Sequence, residues 1–115
     1  MYKRLDMPVI STPFPFEVTQ TTRELGMHVR TARKRRRMRQ GELARKAGVG
    51  EKTIRRLEKG EEGVSLGHVL SVLWALGLLQ TAKELANPET DEHGKTLELA
   101  RLPARIRSTA PDNDF

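Results

Sequence analysis

The chain has 115 residues, of which 37% are apolar, carries a formal net charge of +6 and contains no cysteine. Its length fits one domain with tails, and the lack of thiols excludes disulfides, cysteine nucleophiles and cysteine-bound zinc. The longest nearly apolar run, residues 69–79, is too short to cross a bilayer. We therefore expect a soluble, cytoplasmic protein with no membrane partner.

The first 21 residues are predicted to form an extended N-terminal arm. In the segment PFPFEV, Phe14, Phe16 and Val18 alternate with period two. Pro13 and Pro15 allow an edge strand there and exclude a central one. We expect this arm to lie as an edge strand or clip against its own dimer, with docking of a partner protein as the competing use.

A first helix is expected to run from an N-cap at Thr22 to about Arg37. Leu25, Val29 and Ala32 recur on it at helical spacing and form its buried stripe. The helix should pack on the domain core through this stripe.

The segment from Gln40 to Gly60, QGELARKAGVGEKTIRRLEKG, is typical of two short helices joined by a tight turn. Gly48 stands where a left-handed residue is needed, and Val49 supplies an apolar plug between two steeply crossed helices. The pattern indicates helix-turn-helix geometry, with a second helix suited to a DNA major groove. Its inward positions are Leu43, Ala44, Ala47, Ile54 and Leu57, and the outward ones on the second of these helices are Glu51, Lys52, Arg55, Arg56 and Lys59.

Two more helices should complete a domain that spans residues 22–86. The fourth begins at the cap candidate Ser65 and ends at Gly77, and the fifth runs from about Leu79 to Ala86, before Asn87 and its following proline. Residues 87–115 are expected to form a largely flexible extension, with a short helix near residues 96–102 that a proline breaks. The positions expected to be buried on the fourth helix are Leu66, Val69, Leu70, Leu73 and Leu76.

Positive charge is concentrated in the first half of this domain. Residues 23–60 hold 14 Lys or Arg against 4 Glu, a local charge of +10, so the remainder of the chain is mildly acidic. Such an asymmetry is the electrostatic footprint of a protein that binds a polyanion.

The helix-turn-helix segment resembles the phage-repressor-like (Xre) helix-turn-helix family. The resemblance covers residues 22–86 and implies an all-α, compact five-helix domain of the lambda-repressor type. More loosely, SLGHVLSVLWALGL in the fourth helix and the late segment LELARLPARIR resemble HipB-type antitoxins. The residues that carry the family pattern are Gln40, Leu43, Ala44, Gly48, Val49, Thr53, Ile54, Leu57, Glu58 and Gly60.

The third helix would supply the side chains that read bases. Lysine and arginine donate to guanine O6 and N7, and glutamate accepts from cytosine N4. Glu51 either reads a base in this way or points to solvent, since a phosphate would repel it. The resemblance places Glu51, Lys52 and Arg56 at base edges, Gly50 just before them and Thr53 and Arg55 nearer the backbone, and Lys59 completes the DNA-binding set on this helix.

Side chains just ahead of the second helix would position the DNA backbone. The run RKRRRMR leads into that helix and should contact phosphates through Arg37 and Arg39; a solvated helix face is the alternative. Gln40 stands at the first helical turn, where an amide and the helix N-terminus both meet a phosphate, or it is an ordinary surface glutamine. Gly50 and Arg39 replace the Ser or Thr usual in the family, which weakens capping.

Arg33 begins the same run but has another expected role. The resemblance implies a buried, structural ion pair between Arg33 and Glu58. Removing either partner from a dry pair would leave an uncompensated charge in the core.

A dimer interface is expected from apolar residues that exceed the needs of one small core, and core filling is the alternative. The three histidines lack ligand-like spacing, so we expect no metal site. Without a Gly-rich phosphate loop or paired carboxylates on a structured element, we also expect no cofactor and no enzymatic activity. The expected interface residues are Trp74, Leu78, Leu79, Ala82 and Leu85, with Phe14 and Phe16 of the arm.

Two functions are compatible with these features. The first is the antitoxin and autoregulator of a type II toxin-antitoxin pair, which represses its own operator and holds a HipA-like kinase toxin. The second is a stand-alone phage-like or restriction-modification controller repressor. Either protein would bind double-stranded DNA as a homodimer at a pseudo-palindromic operator and be associated with the nucleoid.

Overall fold

The structure, a computed structural model, describes residues 13–103 and folds them into helices without any strand in that range, which confirms the all-α prediction. The chain divides into two compact units, Met1–Ala82 and Lys83–Phe115. The first contains α1 (Phe16–Arg35), α2 (Gln40–Ala47), α3 (Glu51–Glu58), α4 (Leu66–Ala75) and α5 (Leu79–Ala82), and the second contains a 3₁₀ helix (Pro88–Thr90) and α6 (Glu92–Ala100).

The helix α1 begins at Phe16, well before the predicted start at Thr22. Pro15 precedes it in an extended conformation, and its carbonyl accepts the N–H groups of Val18 and Thr19 at 3.0 and 3.1 Å. A proline is suited to a helix start, because the first N–H groups have no intrahelical partner. The extended prediction is therefore wrong for residues 16–21, and the first 12 residues of the predicted arm lie outside the described range.

The core of the first unit lies between the first four helices. Five side chains are at most 1% exposed: Val29 of α1, Leu43 of α2, Ile54 and Leu57 of α3, and Val72 of α4. Each buried side chain of this size contributes about 1.5–3 kcal/mol relative to an exposed one. Because α3 contacts α1, α2 and α4, its orientation is fixed from three sides.

Four helices end in the same hydrogen-bonding pattern, in which the last turn closes through a residue with left-handed backbone. That residue is Gly48 after α2, Gly60 after α3 and Gly77 after α4, with φ between 72° and 80°. After α1 it is Arg37, with φ 57°. The left-handed Gly48 and the end of the fourth helix at Gly77 are thus confirmed. The closing bonds are Met38 N to Arg33 O, Val49 N to Ala44 O, Glu61 N to Arg56 O and Leu78 N to Leu73 O, at 2.7–3.2 Å.

Two glycines allow the backbones of α1 and the end of α3 to touch. A Cβ on Gly26 would collide with the carbonyl oxygen of Leu57 and lie 2.9 Å from that of Glu58. A Cβ on Gly60 would lie 2.6 Å from the Cα of Arg23. These glycines therefore set how closely α3 packs on α1.

The fourth helix packs on the core through most of the residues predicted to be buried, since Leu73 and Leu76 are buried and Val69 and Leu70 are partly buried against the core. Its start is as expected, since Ser65 Oγ accepts the N–H of His68 at 3.2 Å. Leu66 was predicted to be buried but is 64% exposed, whereas Val72 is fully buried. The first helical turn extends beyond the core, so its leucine has nothing to pack against.

The segment after α4 differs in its helix boundaries. α5 ends at Ala82 instead of the predicted Ala86, and Ala86 itself adopts a left-handed φ of 55°, which is incompatible with a continued helix. α6 starts earlier than the predicted helix near residues 96–102, because Asp91 caps it by accepting the N–H of Gly94 at 2.9 Å. Residues 104–115 of the predicted tail lie outside the described range. None of the described helices is long and apolar enough to cross a membrane.

Candidate nucleic-acid interface

The α2-turn-α3 segment forms one compact corner. The αL glycine after α2 reverses the chain, Val49 packs against the core, and Gly50 then enters α3 in an extended conformation. Ile54 and Leu57 hold the inner side of α3 in the core at 0% and 1% exposure. The opposite, polar side of α3 is thereby left facing solvent.

That outer side carries five charged side chains within nine residues. Glu51, Lys52, Arg55 and Lys59 are exposed, and Arg56 is half-buried. An elongated surface with four cations on one short helix matches what a DNA groove requires.

The two arginines of α3 are each paired with a carboxylate. Arg55 Nη1 lies 3.4 Å from Glu51 one turn earlier, and Arg56 Nε donates to Glu61 Oε1 at 2.9 Å. Among residues 13–103, no ion pair includes Lys52 or Lys59. The lysines are therefore the cations most available to an incoming anion, while the arginines are held in defined positions.

The start of α2 forms a second charged surface beside α3. Glu42 accepts the backbone N–H of Arg39 at 2.7 Å, which caps the helix in place of the missing Ser or Thr. A shallow cleft there is lined by residues 39–42, Arg45 and Glu51. The first N–H groups of a helix attract anions, so this cleft suits a phosphate once Glu51 turns aside.

Gln40 and Glu58 are connected directly. The amide Nε2 of Gln40 donates to Glu58 Oε1 at 3.1 Å. The amide nitrogen has a second N–H that can still donate to a phosphate, and the backbone N–H of Gln40 at the first turn of α2 is also suited to an anion.

Arg33 joins the same network from α1. Its Nε and Nη2 donate to the two oxygens of Glu58 at 2.7 and 2.9 Å, and its Nη1 donates to the carbonyl of Met38 at 2.9 Å. The hydrogen bonds to Glu58 raise the pKa of Arg33 above its ordinary value, against the opposing effect of burial. The charged guanidinium connects α1 to α3 and to the loop before α2.

The loop between α3 and α4 has contacts that the sequence did not indicate. Glu61 accepts the Nε–H of Arg56 at 2.9 Å, and Glu62 accepts the hydroxyl of Thr19 at 2.7 Å. Glu61 therefore shapes the charged surface of α3, and Gly26 sets how closely α3 packs on α1. Neither residue has a local sequence pattern that would predict its role.

The residues predicted for a dimer interface differ in exposure. Trp74 is 61% exposed, and beside it Arg36, Met38 and Lys46 line a groove that continues to Gly77. Leu78 and Ala82 pack partly against the core, and Leu79 is half-buried. In the arm Phe14 and Phe16 are exposed, as is Leu85 in the second unit.

Within residues 13–103, no group of three His, Asp or Glu side chains is arranged to hold a metal ion. The described surface offers charged side chains and open clefts.

Comparison with known proteins agrees with this geometry. Residues 24–86 match a family model described as a helix-turn-helix domain. An uncharacterized HTH-type transcriptional regulator, y4mF of Sinorhizobium fredii, is 45% identical over 58 residues, which cover 50% of this chain and 76% of that protein. No solved structure gives a significant match.

Proposed function

The chain belongs to the helix-turn-helix domain family of DNA-binding regulators, and we propose that it is a transcriptional repressor that reads an operator with α3. The observation that carries this proposal is the exposed, cation-rich face of α3, held rigid by its buried Ile54 and Leu57. A rigid helix with this charge is what major-groove recognition uses.

The proposed contacts divide by the chemistry of each side chain. Lys52 and Arg56 would donate to guanine, and Glu51 would accept from cytosine once it leaves Arg55. Glu51 and Lys52 lie at the start of α3, the part of a recognition helix that reaches the bases, and Arg56 lies in its last turn. Contacts to the DNA backbone are assigned to Arg37, Arg39, Gln40, Gly50, Thr53, Arg55 and Lys59.

The repressor is proposed to act as a homodimer on a pseudo-palindrome. Each chain offers one helix-turn-helix, and a single short helix buries too little surface for tight specific binding. Half-sites would lie about one helical turn, on the order of 10 base pairs, apart. The exposed Trp74 on α4 supports an interface there, because tryptophan is enriched among the residues that dominate binding at protein interfaces.

A second role as an antitoxin is favoured by a separate observation. In the second unit Leu85, Leu97 and Leu99 are 67%, 51% and 47% exposed, although DNA reading by α3 needs none of them. A partner protein would cover such leucines. Following the HipB-type resemblance, we propose a HipA-like kinase toxin as that partner, and a stand-alone repressor is the alternative.

Footprinting on the region upstream of its own gene tests the repressor function. Two protected half-sites about 10 base pairs apart are expected, and the absence of any protected repeat would contradict operator binding. Co-expression with the product of the adjacent gene tests the antitoxin role separately. Rescue of growth and co-purification are expected, whereas an adjacent product that is harmless and does not bind would leave a stand-alone repressor.

A further inference from the structure

Glu61 is held against Arg56 by both its backbone and its side chain. Its N–H donates to the carbonyl of Arg56 at 3.1 Å, as part of the left-handed turn at Gly60. Its carboxylate then accepts the Nε–H of the same arginine at 2.9 Å. The backbone bond fixes the position of the Glu61 backbone next to Arg56, which places its carboxylate within reach of the guanidinium.

The other end of the guanidinium lies beside Gly63. A Cβ at this position would lie 3.0 Å from Arg56 Nη2, which is tight enough to displace the group. Glu61 thus accepts from Nε, and the missing side chain of Gly63 leaves the room that Nη2 occupies in this orientation.

We propose that Glu61 is a specificity-determining residue, which orients Arg56 so that its outer N–H groups read one base pair. This inference rests on the proposed function and on Arg56 as a base reader. An arginine fork recognises guanine O6 and N7 only when its plane is aligned with the base, and a supporting carboxylate reduces the entropy lost on alignment. Glu61 contributes the alignment without touching the base.

The ion pair also works against indiscriminate binding. With side chains 39% and 47% exposed, Arg56 and Glu61 lie where DNA would approach. The carboxylate repels a phosphate that would otherwise attract Arg56, yet it leaves the Nη donors available to a neutral base edge. Glu61 therefore favours a base contact over a backbone contact.

The experiment compares E61A with E61Q. Both remove the same charge, but glutamine retains an oxygen that accepts from Arg56 Nε. The operator would be a duplex selected from a randomised library by the wild-type protein, and the affinities of all variants would be measured on this duplex, on each single base-pair change and on a scrambled duplex.

R56A should lose the preference at one base pair, normally worth roughly 5- to 150-fold in affinity. E61A should weaken the preference at that same base pair by roughly three- to tenfold, with affinity for the scrambled duplex unchanged or raised. E61Q should lose less than E61A, and the E61A/R56A double variant should match R56A. G63A places a methyl group close to the other side of the guanidinium, and it should weaken the preference at the same base pair.

Full preference in E61A would overturn the role of Glu61, whatever G63A does. Tighter operator binding by E61A would also overturn it, since Glu61 would then hold Arg56 away from the DNA. An equal change in affinity for the operator and the scrambled duplex would overturn it too, since Glu61 would then act only through its negative charge. In these outcomes the wild-type protein still discriminates and the proposed repressor function stands. If the wild-type protein selects no sequence from the library, both proposals fail.

Discussion

Among residues 13–103, Arg33 and Glu58 form the most enclosed ion pair. Their side chains are 10% and 4% exposed, while the partners in the other ion pairs are at least 39% exposed. The pair connects three places at once, namely α1, the end of α3 and, through Gln40, the start of α2. It connects α2 and α3 to α1, so its loss should affect the fold before it affects any of the proposed DNA contacts.

We expect Glu58→Ala to destabilise the protein by about 3–5 kcal/mol, because Arg33 would become a buried charge without a counterion. Glu51→Ala is the matched control, since it makes the same change at an exposed pair of the same helix and should cost only about 0.2–1 kcal/mol. Urea unfolding followed by circular dichroism measures both. Equal losses in the two variants would show that the enclosed pair contributes no more than a surface one.

Arg37 combines a backbone cost with a candidate role in binding. It is the non-glycine member of the four left-handed helix ends, at φ 57°, and a left-handed L-residue costs about 1–2 kcal/mol. Such strain is retained when the side chain has a function, and for Arg37 the expected function is a phosphate contact.

Arg37→Gly should therefore change stability and binding in opposite directions. Stability should rise by about 1 kcal/mol through relief of the left-handed strain. Affinity for all DNA sequences should fall alike, and the salt dependence should lose about one phosphate contact. Thermal melts and titrations at several salt concentrations provide the two readouts. A variant that is less stable, or that loses affinity for the operator alone, would contradict the assignment.

At the scale of helices, the elements that the sequence predicted well are those with a strong local signal. Gly48 and Ser65 mark a helix end and a helix start by their own chemistry, and the structure has both there. Leu66 follows the helical period but lies beyond the core, which periodicity cannot reveal. Phe16 was assigned to a strand from an alternation of three residues, which is too short to outweigh a proline at a helix start.

The contact between α1 and α3 is the feature that sequence reasoning could not reach. Gly26 lies inside a helix, where a glycine normally weakens the structure by about 1 kcal/mol. Only the tertiary fold shows that the carbonyls of Leu57 and Glu58 occupy the space of its missing side chain. The same holds for Glu61, whose partner depends on how the loop after α3 turns.

Gly26→Ala should therefore destabilise the protein by about 1–3 kcal/mol, because a backbone cannot move aside as a side chain does. Gly67→Ala is the control in α4, where a Cβ would meet no atom within 4 Å. It should stabilise the protein by about 0.4–1 kcal/mol by reducing the entropy of the unfolded chain. Denaturant midpoints report both signs. Stabilisation by both substitutions would mean that α1 and α3 do not approach so closely.

At the scale of the whole molecule, the proposed repressor function requires two copies of the chain. Trp74 is 61% exposed on α4 and contributes little to the core of its own chain. A tryptophan at the centre of an interface is commonly a hot spot worth at least about 2 kcal/mol. The groove beside it is lined by the exposed Arg36 and Lys46 and by the less exposed Met38 and Ala75, a combination of apolar and charged groups as found in interfaces.

We expect Trp74→Ala to weaken self-association by at least about 30-fold, the equivalent of a 2 kcal/mol hot spot, while the fold of each chain is retained. Operator affinity should fall with it, since two half-sites need two joined copies, although α3 is unchanged. Leu66→Ala is the matched control, because Leu66 is 64% exposed on the same helix and lies outside the proposed interface. Sedimentation velocity over a concentration series measures self-association, and operator titrations in parallel measure DNA affinity. A wild-type protein that stays monomeric while binding its operator, or a Trp74→Ala protein that dimerises normally, would move the interface away from α4.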